Sequence, residues 1–96
     1  MNLKVLNRYK DIIPENSVPI YRPTKFGNPF ILGKDGNRTE VIDKYINWIK
    51  SQPELLELAK IELKGKNLIC CCSPKKCHGD WLLNYVNSIQ IEDFYE

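Results

Sequence analysis

The segment that decides the fold is Asn67-Leu68-Ile69-Cys70-Cys71-Cys72-Ser73-Pro74-Lys75-Lys76-Cys77-His78-Gly79-Asp80. Its apolar first part, bounded by Gly65 and Pro74, is typical of a strand buried on both faces, and we predict that strand over 67–72. The last helix is predicted to begin near Cys77. All four cysteines and the only histidine of the chain lie in this segment. Such crowding predicts a site, because thiol and imidazole groups are easily tuned near neutral pH.

Upstream of this strand, the pattern predicts two short strands and a helix. The strands are predicted at 3–7 and 18–21, with a proline-containing loop between them. Asn37 is followed three residues later by Glu40, which is the pattern of a helix cap with its reciprocal partner. The first helix is therefore predicted to begin near Arg38.

A second helix is predicted directly after the first. Ser51 is the expected cap, Pro53 lies in the first turn, and Gly65 is the expected C-terminal cap. The tail 91–96 is expected to dock or to form an edge strand. The element order predicts one α/β domain over 1–96, a small Rossmann-like sandwich in two or three layers. Its sheet is expected to be short and largely parallel, flanked by about three helices.

Length and composition exclude several classes of protein. With 96 residues, of which 43% are hydrophobic, the chain can build one core but not two. Fourteen Lys and Arg against twelve Asp and Glu give a net charge of +2, so general nucleic-acid binding is not expected. No apolar run approaches the roughly 18 residues of a membrane span, and the N-terminus lacks a signal-peptide core. We expect a cytoplasmic protein with reduced thiols.

The loop over 22–30 is the second candidate site. Two prolines and a Gly-Asn pair, expected to offer positive φ, exclude regular structure there. Ligands of parallel sheets bind beyond the carboxyl ends of the strands, so this loop is expected to face the cysteine turn across one cleft. The side chains and backbone predict an anion or nucleotide site formed by Arg22, Lys25, Gly27, Asn28 and Arg38. The structural alternative is an ordered loop in which Arg38 pairs with Asp35 or Glu40.

The cysteine turn offers candidate catalytic groups. Cys77 is expected at a helix N-terminus, which lowers the pKa of a thiol and makes Cys77 the best nucleophile candidate. His78 could act as acid, base or ligand donor, and Asp80 could cap the helix or orient a partner. Cys72 could reach the cleft, whereas Cys71 points the other way along the strand and is expected in the core.

Three alternatives to catalysis remain open at this turn. In the plainest, Cys70, Cys72 and Cys77 are small buried groups and His78 bonds to the backbone. In the second, these four residues bind zinc, although their spacing is not that of a zinc knuckle and adjacent Cys and His rarely reach one tetrahedral centre. In the third, Cys72 and Cys77 exchange a disulfide. We predict no bound metal and no cofactor.

Two blocks of the sequence resemble a family of small phage and bacterial proteins grouped as domain of unknown function 4326. Residues 22–30 resemble its R-P-x-x-aromatic-G-N-P-aromatic block, and residues 70–80 resemble its C-x-C-x-P-x-x-C-H-G-D block. One departure is Cys71, where the family more often has tryptophan, so a shared role for that cysteine is in doubt. The resemblance implies the host cytoplasm for a phage-encoded chain, and it names no reaction.

The combined sites predict a nucleotide- or nucleoside-phosphate-binding protein that could act on a glycosidic or phosphate bond. Whether it is an enzyme stays open. The first alternative is a non-catalytic phage protein that sequesters a host nucleotide signal, and the second is a small zinc or thiol-redox module. The expected partner is a small anionic ligand, with no membrane partner, and a chain this small could complete its pocket as a homodimer.

Overall fold

A three-stranded parallel sheet forms the centre of the computed structural model, which describes residues 3–88. The strands are β1 (Val5–Asn7), β2 (Ser17–Pro19) and β3 (Asn67–Cys70), in the spatial order β1-β3-β2. The helices are α1 (Arg38–Lys50), α2 (Pro53–Leu63) and α3 (His78–Asn87). The predicted α/β class, parallel sheet and three helices are confirmed. The tail 91–96 lies outside the described residues.

The three helices share one hydrophobic core with the central strand. Leu68 of β3 pairs with Val5 of β1 and Val18 of β2, and its side chain is fully buried. The same cluster contains two residues from each helix, Tyr45 and Ile49, Ala59 and Leu63, Leu82 and Val86. Strand side chains alternate between faces, so Leu6 and Ile69 point away from Leu68, and both are half-buried. The arrangement is therefore two-layered, with the helices on one face of the sheet.

The predicted start of α1 is confirmed, whereas the predicted cap of α2 is wrong. The Asn37 side chain accepts from the Glu40 backbone N–H at 2.9 Å, and Glu40 accepts from the Asn37 N–H at 2.9 Å. Ser51 instead follows the end of α1, where its hydroxyl donates to the Trp48 carbonyl at 2.6 Å. Gln52 precedes α2 and makes no side-chain cap. Ser51 is the C-cap of α1, and the connection to Pro53 is too short for it to cap α2 as well.

Gly65 ends α2 as predicted. It follows the C-cap residue Lys64 and has a φ of +76°, in the left-handed region that favours glycine. From there the chain enters β3 directly. No helix in the described part of the chain is long and apolar enough to cross a membrane.

Strand β3 is two residues shorter than predicted. The last rung with β1 joins the Arg8 backbone N–H to the Cys70 carbonyl at 2.9 Å. The chain then turns, and the Ser73 N–H donates to the Cys70 sulfur at 3.2 Å. Because β3 ends at Cys70, Cys71 lies in the bend that follows the strand and is exposed. The prediction that Cys71 is in the core is wrong.

Candidate functional site

The C-terminal ends of the three strands open into one cavity of about 460 Å³. Each strand contributes the residues that follow it, and the start of α1 closes one side. The predicted meeting of the 22–30 loop with the cysteine turn is confirmed. The cavity is lined by Arg8, Tyr9, Tyr21, Arg22, Asn28, Phe30, Leu32, Arg38, Val41, Ile42, Cys70, Cys71, Cys72, Lys76, Cys77 and His78.

The charged side chains that residues 3–88 contribute to this cavity are all positive. They belong to Arg8, Arg22, Arg38 and Lys76, and no carboxylate of this part of the chain lines the cavity. Within residues 3–88 the ion pairs join other groups, so none of these four cations is neutralised by a carboxylate. The Arg38 guanidinium donates to the Lys76 carbonyl at 3.2 Å. It forms no ion pair with Asp35 or Glu40, the two partners considered in the structural alternative.

Aromatic rings accompany the cations. The Arg8 guanidinium lies 4.2 Å from the centre of the Tyr21 ring and 5.0 Å from that of Tyr9. Phe30 also lines the cavity. Arg8, Tyr9, Tyr21 and Lys76 line the cavity but are not among the site residues predicted from the sequence. The strand-end rule could have found Arg8 and Tyr9, because both follow β1 directly.

Two predicted ligand residues, Lys25 and Gly27, are not among the lining residues. The Lys25 ammonium pairs with the Glu62 carboxylate of α2 at 2.6 Å. Gly27 is buried, and its φ is not positive, contrary to the sequence-based expectation. A Cβ at Gly27 would lie 2.9 Å from the Arg22 backbone nitrogen. The missing side chain therefore lets Gly27 pack closely against Arg22 in its own loop, rather than against a ligand. Gly27 therefore shapes the loop that presents Arg22.

Asn28 lines the cavity with its amide already committed to the loop. The Nδ2 group donates to the Val41 carbonyl at 3.1 Å, and Oδ1 accepts from the Phe30 N–H at 2.9 Å. These bonds fasten the loop to α1. Of the predicted ligand residues, Arg22, Asn28, Arg38 and Cys72 are thus brought together at the cavity.

Three sulfurs meet on the other side of the cavity. The Sγ atoms of Cys70, Cys72 and Cys77 all lie within 4.8 Å of one another. Hydrogen bonds with Cys72 and Cys77 lower the pKa of Cys70. Hydrogen bonds with Cys70 and Cys72, together with burial, raise the pKa of Cys77. The pKa of Cys72 is also raised, mainly through its bond to Cys70. The cluster therefore favours one thiolate, on Cys70.

The lowered pKa predicted for Cys77 is wrong. Cys77 is the N-cap of α3, and the Gly79 N–H donates to its sulfur at 3.4 Å, which does favour the thiolate. Its bond to Cys70 outweighs that effect. The role of Cys77 as nucleophile stays a prediction, whereas Asp80 takes the capping role, accepting from the Cys77 backbone N–H at 3.0 Å. Asp80 is exposed and does not line the cavity.

His78 is a buried, neutral histidine that joins the two loops. Its Nε2 lies 2.9 Å from the Ile20 carbonyl, which can only accept, so Nε2 carries the proton and Nδ1 is free of one. That Nδ1 lies 3.6 Å from the Cys77 sulfur. Burial lowers the pKa of His78. The hydrogen bond from His78 to the backbone, expected if this histidine is purely structural, is therefore present. Its Nδ1 is left as an acceptor for the Cys77 proton.

Comparison with known proteins identifies the chain at the level of its family. Residues 4–88 match the family described as Domain of unknown function (DUF4326). The chain belongs to this family. It is 38% identical over 96 residues to the "Uncharacterized 12.4 kDa protein in nrdA-td intergenic region" of Enterobacteria phage T4, covering 95% of this chain and 83% of the phage protein. No solved structure matches it significantly.

The two sequence blocks that resemble DUF4326 proteins meet at the cavity. The block 22–30 supplies Arg22, Asn28 and Phe30, and the block 70–80 supplies four cysteines, Lys76 and His78. His78 bonds the Ile20 carbonyl just before the first block. Residues of both blocks therefore line one cavity in this DUF4326 domain, although they are far apart in sequence.

The buried His78 predicts acid sensitivity. Because its folded pKa lies below the ordinary value, the unfolded chain takes up a proton that the folded chain does not. The free energy of unfolding should be fully maintained above about pH 6.5 and fall at lower pH, by at most about 1.4 kcal/mol per pH unit. Urea unfolding at a series of pH values on either side of about 6.5 would measure how steeply the free energy of unfolding depends on pH. His78→Gln, which removes the chain's only histidine, should flatten it; an unchanged slope would contradict the assignment.

Proposed function

We propose that this domain binds a nucleotide or nucleoside phosphate in the cavity at the strand ends. The observation that carries the proposal is the concentration in one cavity of four cations that no carboxylate of residues 3–88 pairs with, in a chain whose net charge is only +2. A cavity of about 460 Å³ lies within the range of small-ligand sites. A small organic anion would suit it better than a nucleic-acid duplex.

The arrangement supplies separate groups for the two ends of such a ligand. Arginine forks match the geometry of phosphate oxygens, and Arg22 and Arg38 both line the cavity. Aromatic faces suit a nucleobase, and Tyr9, Tyr21 and Phe30 supply them. Arg8, lying against Tyr9 and Tyr21, can serve either end. The likeness to Rossmann-type nucleotide-binding proteins stays a prediction.

Chemistry on the bound nucleotide, at a glycosidic or phosphate bond, would use the thiols and His78 across the cavity. The Cys77 sulfur is 3.6 Å from His78 Nδ1, close enough for the imidazole to accept a thiol proton. The alternative is a phage binder that sequesters a host nucleotide signal and returns it unchanged. Chromatography of the released ligand distinguishes them, since cleavage would yield a free base or free phosphate.

Replacing Arg22 with alanine is expected to weaken nucleotide binding by about 10- to 100-fold, because a hydrogen bond to a charged group contributes about 1.5–3 kcal/mol. The panel would contain nucleoside mono-, di- and triphosphates, dinucleotides and cyclic nucleotides. Thermal shift would select the ligand, and titration calorimetry would measure its affinity for both proteins.

Lys25→Ala is the matched control for this experiment. Lys25 lies in the same loop and carries the same charge, but it pairs with Glu62 and does not line the cavity. Its removal should leave the affinity within about threefold of the wild type, as expected for an exposed ion pair away from the ligand. Equal losses in both variants, or no thermal shift with any nucleotide, would refute the proposal.

A further inference from the structure

Three cysteine sulfurs converge in one cluster at the wall of the cavity. Cys70 ends β3, Cys72 lies in the turn after it, and Cys77 is the N-cap of α3. Three separate local structures thus aim sulfur at one point, with all Sγ atoms within 4.8 Å of one another. Cys71, between two members of the cluster in sequence, is exposed and excluded from it.

We propose that Cys70, Cys72 and Cys77 form a three-thiolate binding site for a zinc ion. In a tetrahedral centre with Zn–S bonds of about 2.3 Å, neighbouring sulfurs are about 3.8 Å apart. The sulfurs of this cluster therefore need to move by only about 1 Å or less to reach that spacing. Zinc binding displaces the remaining thiol protons to solvent and forms three Zn–S bonds, without any change of oxidation state.

The fourth coordination position would face the cavity. All three cysteines line it, and three protein ligands with one open position are typical of zinc sites that also bind water or a substrate. His78 does not complete the set, because its ring nitrogens are outside the group of converging ligand atoms. This differs from a four-ligand site of three cysteines and His78.

The surroundings also suit the charge of such a centre. Zinc with three thiolates carries one net negative charge, and Arg38 and Lys76 line the same cavity. A ligand on the open position would lie between the metal and these cations. The site does not depend on the proposed nucleotide, because the sulfur geometry is independent of which anion the cavity takes.

Cobalt provides the direct test, because Co²⁺ occupies thiolate sites of zinc and absorbs strongly when bound by sulfur. The reduced, metal-free full-length protein should take up one equivalent, with sulfur-to-cobalt charge-transfer absorption, and Zn²⁺ should displace it. Competition with a chromophoric chelator gives the zinc affinity. Cys72→Ser should weaken the zinc affinity by more than about 100-fold. This exceeds the loss caused by removing a residue that only hydrogen-bonds to a metal ligand.

Cys71→Ser is the control, since it removes a neighbouring thiol that lies outside the cluster. It should retain one equivalent and the wild-type affinity. Cys77→Ser gives a second ligand variant with an intact fold, because serine is a favourable N-cap for α3. Equal zinc affinity in the Cys71 and Cys72 variants, or no uptake by the reduced protein, would overturn the site. Arg22→Ala should retain zinc, which separates this result from a failure of nucleotide binding.

Discussion

Tyr45→Ala is expected to lower the free energy of unfolding by about 3–5 kcal/mol, the usual cost of removing a large aromatic side chain from a core. Tyr45 is fully buried in the cluster that joins the helices to β3. Its ring also packs 4.6 Å from that of His78. The substitution thus removes packing from both the core and the wall of the cavity. Urea unfolding monitored by circular dichroism would measure the loss.

Tyr45→Phe separates the hydroxyl from the ring. Burial raises the pKa of Tyr45, so the hydroxyl stays protonated and donates to the Phe26 carbonyl at 2.8 Å. Losing that buried bond should cost about 1–3 kcal/mol. Because Phe26 belongs to the loop that carries Arg22, the Phe variant should also weaken ligand binding while keeping the core. Equal stability of the Phe variant and the wild type would show that the hydroxyl does not hold the loop.

The features that could be predicted from the sequence are those determined by nearby residues. The Asn37–Glu40 capping box is complete within four positions, so the start of α1 was evident. The parallel sheet followed from the order of strands and helices, and the strand-end rule then placed Arg22 opposite the cysteine turn. Each of these predictions needs only local spacing or a topological rule.

Several of the errors arose where a distant partner decides the outcome. Lys25 looked like a ligand residue, but Glu62 of α2 binds it. Strand β3 looked longer because its composition stays apolar, yet it ends where β1 stops supplying hydrogen bonds. The same early ending exposes Cys71 and turns Cys72 toward Cys70 and Cys77. The spacing of the cysteines did not predict that three sulfurs converge, because a turn and a helix cap bring them together rather than a C-x-x-C pair.

The side chain of Asn7 helps to fasten this turn to the sheet. Its side chain is buried at the end of β1, where Nδ2 donates to the Ser73 carbonyl at 2.8 Å and to the Cys71 carbonyl at 3.4 Å. Its Oδ1 accepts from the Tyr9 N–H at 2.8 Å. One amide therefore ties together the two loops that carry Arg8 and the cysteines.

Asn7→Ala is expected to lower the free energy of unfolding by about 1–3 kcal/mol, because it removes the part-buried hydrogen bonds that this amide makes to the backbone. It should also loosen the turn. Cys70 and Cys77 are only 1% and 3% exposed, so a thiol reagent reaches them through local opening. Their modification rate should rise about tenfold or more, since each 1.4 kcal/mol of lost local stability multiplies the open population tenfold. Mass spectrometry after timed alkylation would follow each cysteine.

Asn67→Ala distinguishes this positioning role from general destabilisation. Asn67 is equally a buried amide in the sheet, but it lies at the opposite end, where Oδ1 accepts from the Lys4 N–H at 2.9 Å and Nδ2 donates to Asn16 at 3.3 Å. Its loss should lower global stability comparably and leave the Cys70 and Cys77 rates within about twofold of wild type, because local opening of the turn is untouched. Equal acceleration in both variants would mean that the thiols are protected by the whole fold rather than by Asn7.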